Sequence, residues 1–389
     1  MDILENPYYT LTKYVIIATG QSPYHPKWLK FLIKSYYSFV ILSCSVGQIV
    51  GLTEIYGDID LVLECIPPLC FASISIIILI NNNVQEKQMI LVFSKMQSDW
   101  KTLTSKHDAY VLCKYAKRSK FYNAFYLVGF LGNLTVFLFS RTIFLLIYFL
   151  NDSYEIRPVL AIVDFGIDPE KYYYWISIHL HLCAYLGSVL TISGTMIFTM
   201  LIEHACGIFE IIGHKLTIAL EEYQNQSNEL IFKKKFQREI ILCVRMHRRV
   251  LSFVNDIQKL FSTAYFFIFG FCIVDLSITG VQAVMNLDNA REATRYGLHS
   301  VAQILNILFL TFPTQHLIDT STCISDCIYS ASWYHLTSEN QKWLLIIMRR
   351  GAEPTKLVVG RVFILSLEFF KKVLQTSVSY FTVLMAVRQ

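Results

Sequence analysis

Charged residues are scarce in this 389-residue chain. Asp, Glu, Lys and Arg together make up 16%, where soluble domains average about 25%, too few to cover a surface that faces water throughout. Proline is sparse as well, at 9 residues, and with 28 Phe and 23 Tyr the composition excludes a disordered or low-complexity chain. The charges nearly balance, 34 basic against 29 acidic, so the basic excess expected of a nucleic-acid partner is missing. No Gly-rich phosphate loop, no HExxH helix and no G-x-S-x-G elbow occurs, which removes the common signatures of nucleotide, zinc-protease and serine-hydrolase chemistry. The expectation is a protein that is not an enzyme and carries no cofactor or metal. Ten Cys are present without a CxxC pair, and Cys323 and Cys327 stand four apart with no His at zinc-ligand spacing. They read as buried free thiols. No internal duplication is visible, which counts against a transporter built from repeated halves.

What the sequence has in abundance is apolar length. Hydrophobic residues make up 54% and the mean hydropathy is +0.44. A membrane-crossing helix needs about 20 mostly apolar residues, and the uncharged stretches supply a series of them. Residues 35–53 and 65–85 are free of Asp, Glu, Lys and Arg, the second with a Pro67-Pro68 pair that predicts a kink. Residues 121–140 continue past Arg141 to Leu150, and 172–202 exceed one bilayer crossing. Residues 260–287 are broken only by Asp275, and 297–318 are unbroken. The last run, 373–387, follows 358–367 with Glu368, Lys371 and Lys372 between them. The fold class is therefore all-α, a polytopic membrane protein with seven transmembrane helices.

Orientation follows from the basic residues in the connections. The N-terminal tail holds Lys13, Lys27, Lys30 and Lys34; the connections after spans two, four and six include Lys87–Lys120, the Lys233-Lys234-Lys235 triplet and Arg349-Arg350. Leaving aside Lys259, Lys371 and Lys372 at the edges of spans, these connections carry 25 Lys and Arg, against four (Arg157, Lys171, Arg291, Arg295) on the other side. The N-terminus is expected in the cytoplasm and, after seven crossings, the C-terminus outside. The start of the chain shows no signal-peptide pattern. A G-protein-coupled receptor has the opposite orientation, and its Asp-Arg-Tyr and Asn-Pro-x-x-Tyr motifs are missing here. Of the sequons at Asn133, Asn151 and Asn225, only Asn151 falls in an outer loop where glycosylation is possible.

The cytoplasmic connections are patterned like helices. Residues 224–254 alternate apolar positions with the basic set, and 338–350 run through Trp343, Leu344, Ile346 and Ile347 into two Arg and Gly351, a helix with a defined stop. Helical extensions of spans four, five and six, with the helix before span seven, predict a packed domain below the membrane; the alternative is a basic surface that only meets lipid headgroups. His179 and His181 lie on opposite faces of a helix and do not form a metal pair. Asp275 is an intramembrane charge that needs a partner or water, and spacing identifies none. Arg141 either reaches the headgroups or pairs with an acid such as Asp152 or Asp164.

The end of the chain carries the most specific signal. Phe312-Pro313, Gln315, Leu317-Ile-Asp319 and Ile328-Tyr329 precede Trp333-Tyr334, a helix and a Gly-containing break; then come Phe363-Ile-Leu-Ser-Leu-Glu-Phe-Phe370 and Ser379-Tyr-Phe-Thr-Val-Leu384. In that order and spacing these pieces closely resemble the insect odorant receptors, the tuning-type receptors of a hymenopteran-like branch and not the co-receptor, whose cytoplasmic insertion is longer. Gustatory receptors, whose terminal Thr-Tyr … Gln-Phe pattern is missing, are the second reading. The resemblance implies an odorant-gated nonselective cation channel in the plasma membrane, a heterotetramer with the co-receptor subunit, whose last helix lines the pore. It also implies a volatile or semi-volatile ligand bound in the outer half of each subunit's bundle. The gate would be an apolar ring at Val383, with Ala386 and Val387 following; Val383 and Val387 share a helical face, and such rings block ions by dewetting. Lys371 and Lys372 either line an inner vestibule or lie in the interface. The pocket would draw on Phe71, Ser75, Phe137, Ser140, Tyr174, Ile178, His181, Tyr185, Tyr296, Ser300 and Gln303 of spans two, three, four and six. The expected segments are a cytoplasmic N-terminal part (1–34), spans one to six with their extensions (35–330), a cytoplasmic anchor helix (331–360) and the pore-lining span (361–389).

Overall fold

The computed structural model describes residues 3–23, 25–55, 57–103, 105–150, 161–224, 229–331 and 333–388, with side chains set aside at 139–150, 224, 229–233, 291 and 387–388. Among these, the order is α1 (Thr10–Ala18), α2 (Lys27–Glu54), α3 (Ile59–Val84), α4 (Glu86–Thr102), α5 (Lys106–Leu150), α6 (Tyr173–Gln224), α7 (Glu229–Met285), α8 (Ala290–Ser330) and α9 (Ser338–Gly351). A hairpin of β1 (Val358–Val359) and β2 (Phe363–Ile364) follows, then α10 (Leu367–Arg388). Six of these helices, α2, α3 and α5 to α8, contain segments long and apolar enough to cross a membrane. At 22 residues, about 33 Å, α10 has the length but is interrupted by charged and hydroxyl side chains.

The long helices are longer than a bilayer is thick. At 52 and 57 residues, α6 and α7 extend about 78 and 86 Å, against roughly 30 Å of hydrocarbon. The excess forms a second layer of the molecule. α6 is the axis of the bundle and packs against α5, α7 and α8. Its middle, including Leu190, Ile192, Met196, Leu201 and Ala205, is sealed from solvent. α9 packs on the far end of α8, and Gly351 makes this possible: a Cβ there would lie 3.3 Å from Ile324 Cγ2 and from the Ser325 backbone nitrogen. Asp58 caps α3 by accepting from the backbone N–H of Asp60 at 2.9 Å and Leu61 at 3.3 Å. Pro67 and Pro68 lie inside α3 without ending it.

Ion pairs join the helices where they run beyond the apolar core. Arg118 (α5) donates from Nε to Glu203 (α6) at 2.7 Å, and the Glu203 side chain is 1% exposed. Lys114 and Tyr115 both bond Glu210, Lys215 pairs with Asp108 at 2.8 Å, and Asp99 of α4 receives His204 and Arg249. Lys30 and Lys34 of α2 converge on Glu86 at 2.9 and 3.0 Å, and their hydrogen bonds hold its carboxyl below the usual range.

Residues 358–364, expected to lead directly into the last helix, form the antiparallel hairpin instead, with Val358 opposite Ile364 and Val359 opposite Phe363. Two of its three turn residues, Gly360 and Arg361, have φ of 59° and 61°, the left-handed geometry of tight hairpin turns. The hairpin is fixed to α7: Ser262 Oγ donates to the Val358 carbonyl at 2.9 Å, and the Val358 N–H donates to Gln258 Oε1 at 2.9 Å. The segment boundary expected after 360 therefore falls within a turn; α2 already begins at Lys27, and α8 ends at Ser330.

Candidate ligand cavity and pore helix

A cavity of about 150 Å³ lies among α2, α3, α5, α6, α7 and α8. A void of that size lined by apolar groups accepts a guest such as benzene. Its walls are mainly aromatic and aliphatic: Pro67, Pro68, Phe71 and Ala72 from α3, Phe130, Leu134, Phe137 and Leu138 from α5, Leu180, Cys183 and Ala184 from α6, and Tyr296 and Ala302 from α8. Polar groups are few and come from specific positions. Arg295 of α8 reaches Glu64 of α3 at 3.5 Å and Glu292 at 2.9 Å, while its guanidinium lies 4.4 Å from the centroid of the Tyr296 ring.

One turn deeper, His299 and Gln303 stand four apart on one face of α8 and meet Asp275 of α7. Gln303 Nε2 donates to Asp275 Oδ2 at 2.7 Å and His299 Nε2 lies 3.2 Å from the same oxygen. The Asp275 side chain is 1% exposed, so the partner that spacing did not identify is this pair. The His299 ring also packs 5.8 Å from Phe137. A carboxyl, an imidazole and an amide thus back one wall of a largely apolar chamber, and His299 and Gln303 also line that chamber. Two apolar surfaces and one polar wall can orient a small molecule as well as hold it.

Of the residues expected in the pocket, Phe71, Phe137, Tyr296 and Gln303 line this cavity. Ser300 stands behind it, donating to Thr279 Oγ1 at 3.0 Å, and Thr279 lines the wall. Ser75 bonds the Phe71 carbonyl at 3.0 Å and packs against Gly187 of α6. Tyr174, Ile178 and Tyr185 lie on the exposed side of α6, and His181 Nδ1 is bonded to the Ser177 carbonyl at 2.7 Å. His179, its neighbour in sequence, bonds Ser43 of α2 at 3.0 Å. The side chain of Ser140, like that of Arg141, and the whole of Asn151 lie outside the described residues. Gln48, Glu64, Ser188, Arg295 and His299 were not anticipated from the sequence. The one available signal was the spacing of His299 and Gln303, which places both on one face of a span beside a lone intramembrane acid.

α10 packs on α7 and α8. Phe369, Val373 and Ser377 repeat every four residues and are buried; Ser277 of α7 donates to the Ser377 carbonyl at 3.1 Å, and Gly280 faces the Phe381 ring. The opposite face is open. Val378, Tyr380 and Val383 are more than half exposed, and Ala386 is also exposed; the Val387 side chain lies outside the described residues. Lys372 pairs with Glu368 at 2.8 Å on that same outer face.

A bundle of long helices, six of them long and apolar enough to cross a membrane, defines a multi-pass membrane protein. A family model described as 7tm Odorant receptor matches residues 62–378, and the chain belongs to this family of insect odorant receptors. It is 25% identical over 147 residues to odorant receptor Or2 of Anopheles gambiae, covering 38% of each chain. It is 22% identical over 185 residues to odorant receptor 22c of Drosophila melanogaster, covering 46% of this chain and 45% of that one. The odorant receptor coreceptor of Ooceraea biroi is 25% identical over 148 residues, 37% of this chain and 30% of that protein. The matches thus span less than half the length of these curated relatives. In three dimensions the chain is similar to the insect olfactory receptor OR5 from Machilis hrabei in complex with eugenol, with a TM-score of 0.80 at 12% identity, over 98% of this chain and 100% of that one.

Proposed function

We propose that the chain is a tuning subunit of an odorant-gated, nonselective cation channel of the plasma membrane. In this reading α10 is the seventh span, the N-terminus is cytoplasmic and the C-terminus extracellular. A volatile or semi-volatile molecule binds the cavity bounded by Phe71, Phe137, Tyr296 and Gln303. The open face of α10 walls a pore shared with co-receptor subunits in a heterotetramer, and Val383, with Ala386 and Val387, forms the gate. Asn151 is the one sequon that this orientation leaves open to glycosylation. Residues from the far end of α6 to α9 act as a cytoplasmic anchor.

The observation that carries the reading is the position of α7. One stretch of that helix holds Asp275, bonded to two cavity-lining side chains, and Ser277, bonded to the backbone of α10. A ligand that shifts α8 against α7 therefore acts on a helix already tied to the pore wall. The charge distribution of the connections supports the orientation, and the eugenol-bound relative supports a one-ring ligand scale. Whole-cell recording from cells expressing this chain with the co-receptor, over a panel of volatile compounds and with G-protein signalling blocked, tests the reading. Odorant-evoked cation currents are expected; currents that vanish with the G-protein block refute it.

A further inference from the structure

The open face of α10 is polar over most of its length. Lys372, Thr376 and Ser379 lie within about 40° of Val383 around a helix of 3.6 residues per turn, and Glu368 lies about 60° from it. All five residues are exposed. Charged and hydroxyl side chains are costly against lipid and suit a water-filled path. The Thr376 and Ser379 hydroxyls donate to the Lys372 and Gln375 carbonyls at 2.8 and 3.0 Å, so their oxygens remain able to accept from the water around a hydrated cation.

The stripe carries two opposite charges. Lys372 Nζ and Glu368 Oε1 are 2.8 Å apart, with side chains 64% and 75% exposed. A pair this open adds little to stability; what it fixes is the charge that a passing ion meets. Glu368 is the one acidic residue of α10, and Lys371 is turned about 120° from Val383 around the helix. Alone, Lys372 would put a positive charge in the way of cations. With Glu368 bonded to it, the local sum is zero. Lys372 lies about 16 Å from Val383 along the axis, while the Debye length in physiological salt is about 8 Å. The pair therefore acts on ions at its own level and not on the gate.

We propose that Glu368 and Lys372 form a self-neutralised charge pair in the cation path, where Glu368 cancels the repulsion that Lys372 alone exerts on permeant cations. This rests on α10 walling the pore with its first turn toward the cytoplasm. It makes the two residues determinants of unitary conductance, with opposite signs, and leaves odorant sensitivity to the cavity and the gate.

Single channels are recorded in inside-out patches from cells co-expressing the co-receptor, in symmetrical NaCl, opened by the compound of the volatile panel that evokes the largest current. At about 0.15 M salt, Glu368→Gln is expected to lower the outward unitary current about two-fold and Lys372→Gln to raise it about two-fold. The double variant, and the exchanged pair Glu368→Lys with Lys372→Glu, should both return to the wild-type value. At about 1 M salt, where the Debye length is about 3 Å, the differences should largely vanish. The half-maximal concentration of the opening compound should stay the same throughout. Where a charge variant fails to reach the surface, Thr376→Cys carries the same test: a cationic methanethiosulfonate applied from the cytoplasm should lower the outward current and an anionic one should raise it. Single variants that leave the unitary current unchanged, that shift it in the same direction, or that shift only the half-maximal concentration overturn the proposal while the channel reading stands. Indifference of Thr376→Cys to both reagents does the same. No evoked current from the wild-type chain with the co-receptor removes both.

Discussion

Removing Gln303 tests whether the polar wall of the cavity is a coupled unit. Gln303 Nε2 and Asp275 Oδ2 are 2.7 Å apart, and the Asp275 side chain is 1% exposed, so water cannot replace the lost donor. Hydrogen bonds to charged groups contribute about 1.5–3 kcal/mol in soluble proteins, while interhelical polar pairs in membranes reach about 1.7 kcal/mol. Gln303→Leu is therefore expected to destabilise the protein by about 1.5–3 kcal/mol. Most of this arises because the buried Asp275 carboxyl loses its shorter hydrogen bond and keeps only His299. In the double variant Gln303→Leu with Asp275→Val no buried carboxyl remains without its donor, so its cost should fall short of the sum of the singles by about 1–2 kcal/mol. The assay is reversible unfolding of the purified chain in mixed micelles by denaturing detergent, followed by tryptophan fluorescence. Additivity within about 0.5 kcal/mol would refute the argument that these residues act as a pair.

Three further outcomes follow from other parts of the fold. Gly360→Ala drives a Cβ into the Phe266 ring at a residue with φ of 59°; it should lower stability by more than about 1 kcal/mol, read as a lower thermal midpoint in detergent, whereas Gly57→Ala, with open space around it, should not. Arg118→Ala strands the buried Glu203 carboxylate and should destabilise by about 3–5 kcal/mol, and adding Glu203→Gln should restore a large part of it. An epitope tag after Gln389 should be reached by antibody on intact cells. A tag detected only after permeabilisation refutes the orientation.

The helical architecture was legible because a bilayer demands uncharged runs, and the runs starting near 35, 65, 121, 172, 260 and 297 each fall within a long helix to within two residues. Their ends were not, since α5 to α8 continue well beyond the apolar stretch on amphipathic faces that composition alone does not delimit. The hairpin at 358–364 was hidden because its strands are two residues long and its turn puts Arg361, not an Asn or Gly, at positive φ. In the cavity, Phe71, Phe137, Tyr296 and Gln303 were found from residue type and depth. Tyr174, Ile178 and Tyr185 were not separable from them, because depth is readable from sequence whereas the rotation of α6 about its own axis is set by packing against its neighbours. Gln48 and Ser188 escaped for a related reason: a single polar side chain in an apolar span reads as incidental until its neighbours from other helices are in place.

The central claim is that the open face of α10 walls an ion path controlled by the cavity. Val383→Cys and Ser377→Cys, each co-expressed with the co-receptor, test it when a charged methanethiosulfonate reagent is added outside during odorant application. The account predicts an irreversible change in current at position 383, faster in odorant than without it. No change is expected at 377, which faces α7. Modification of 377 with 383 untouched, or indifference of both, contradicts it.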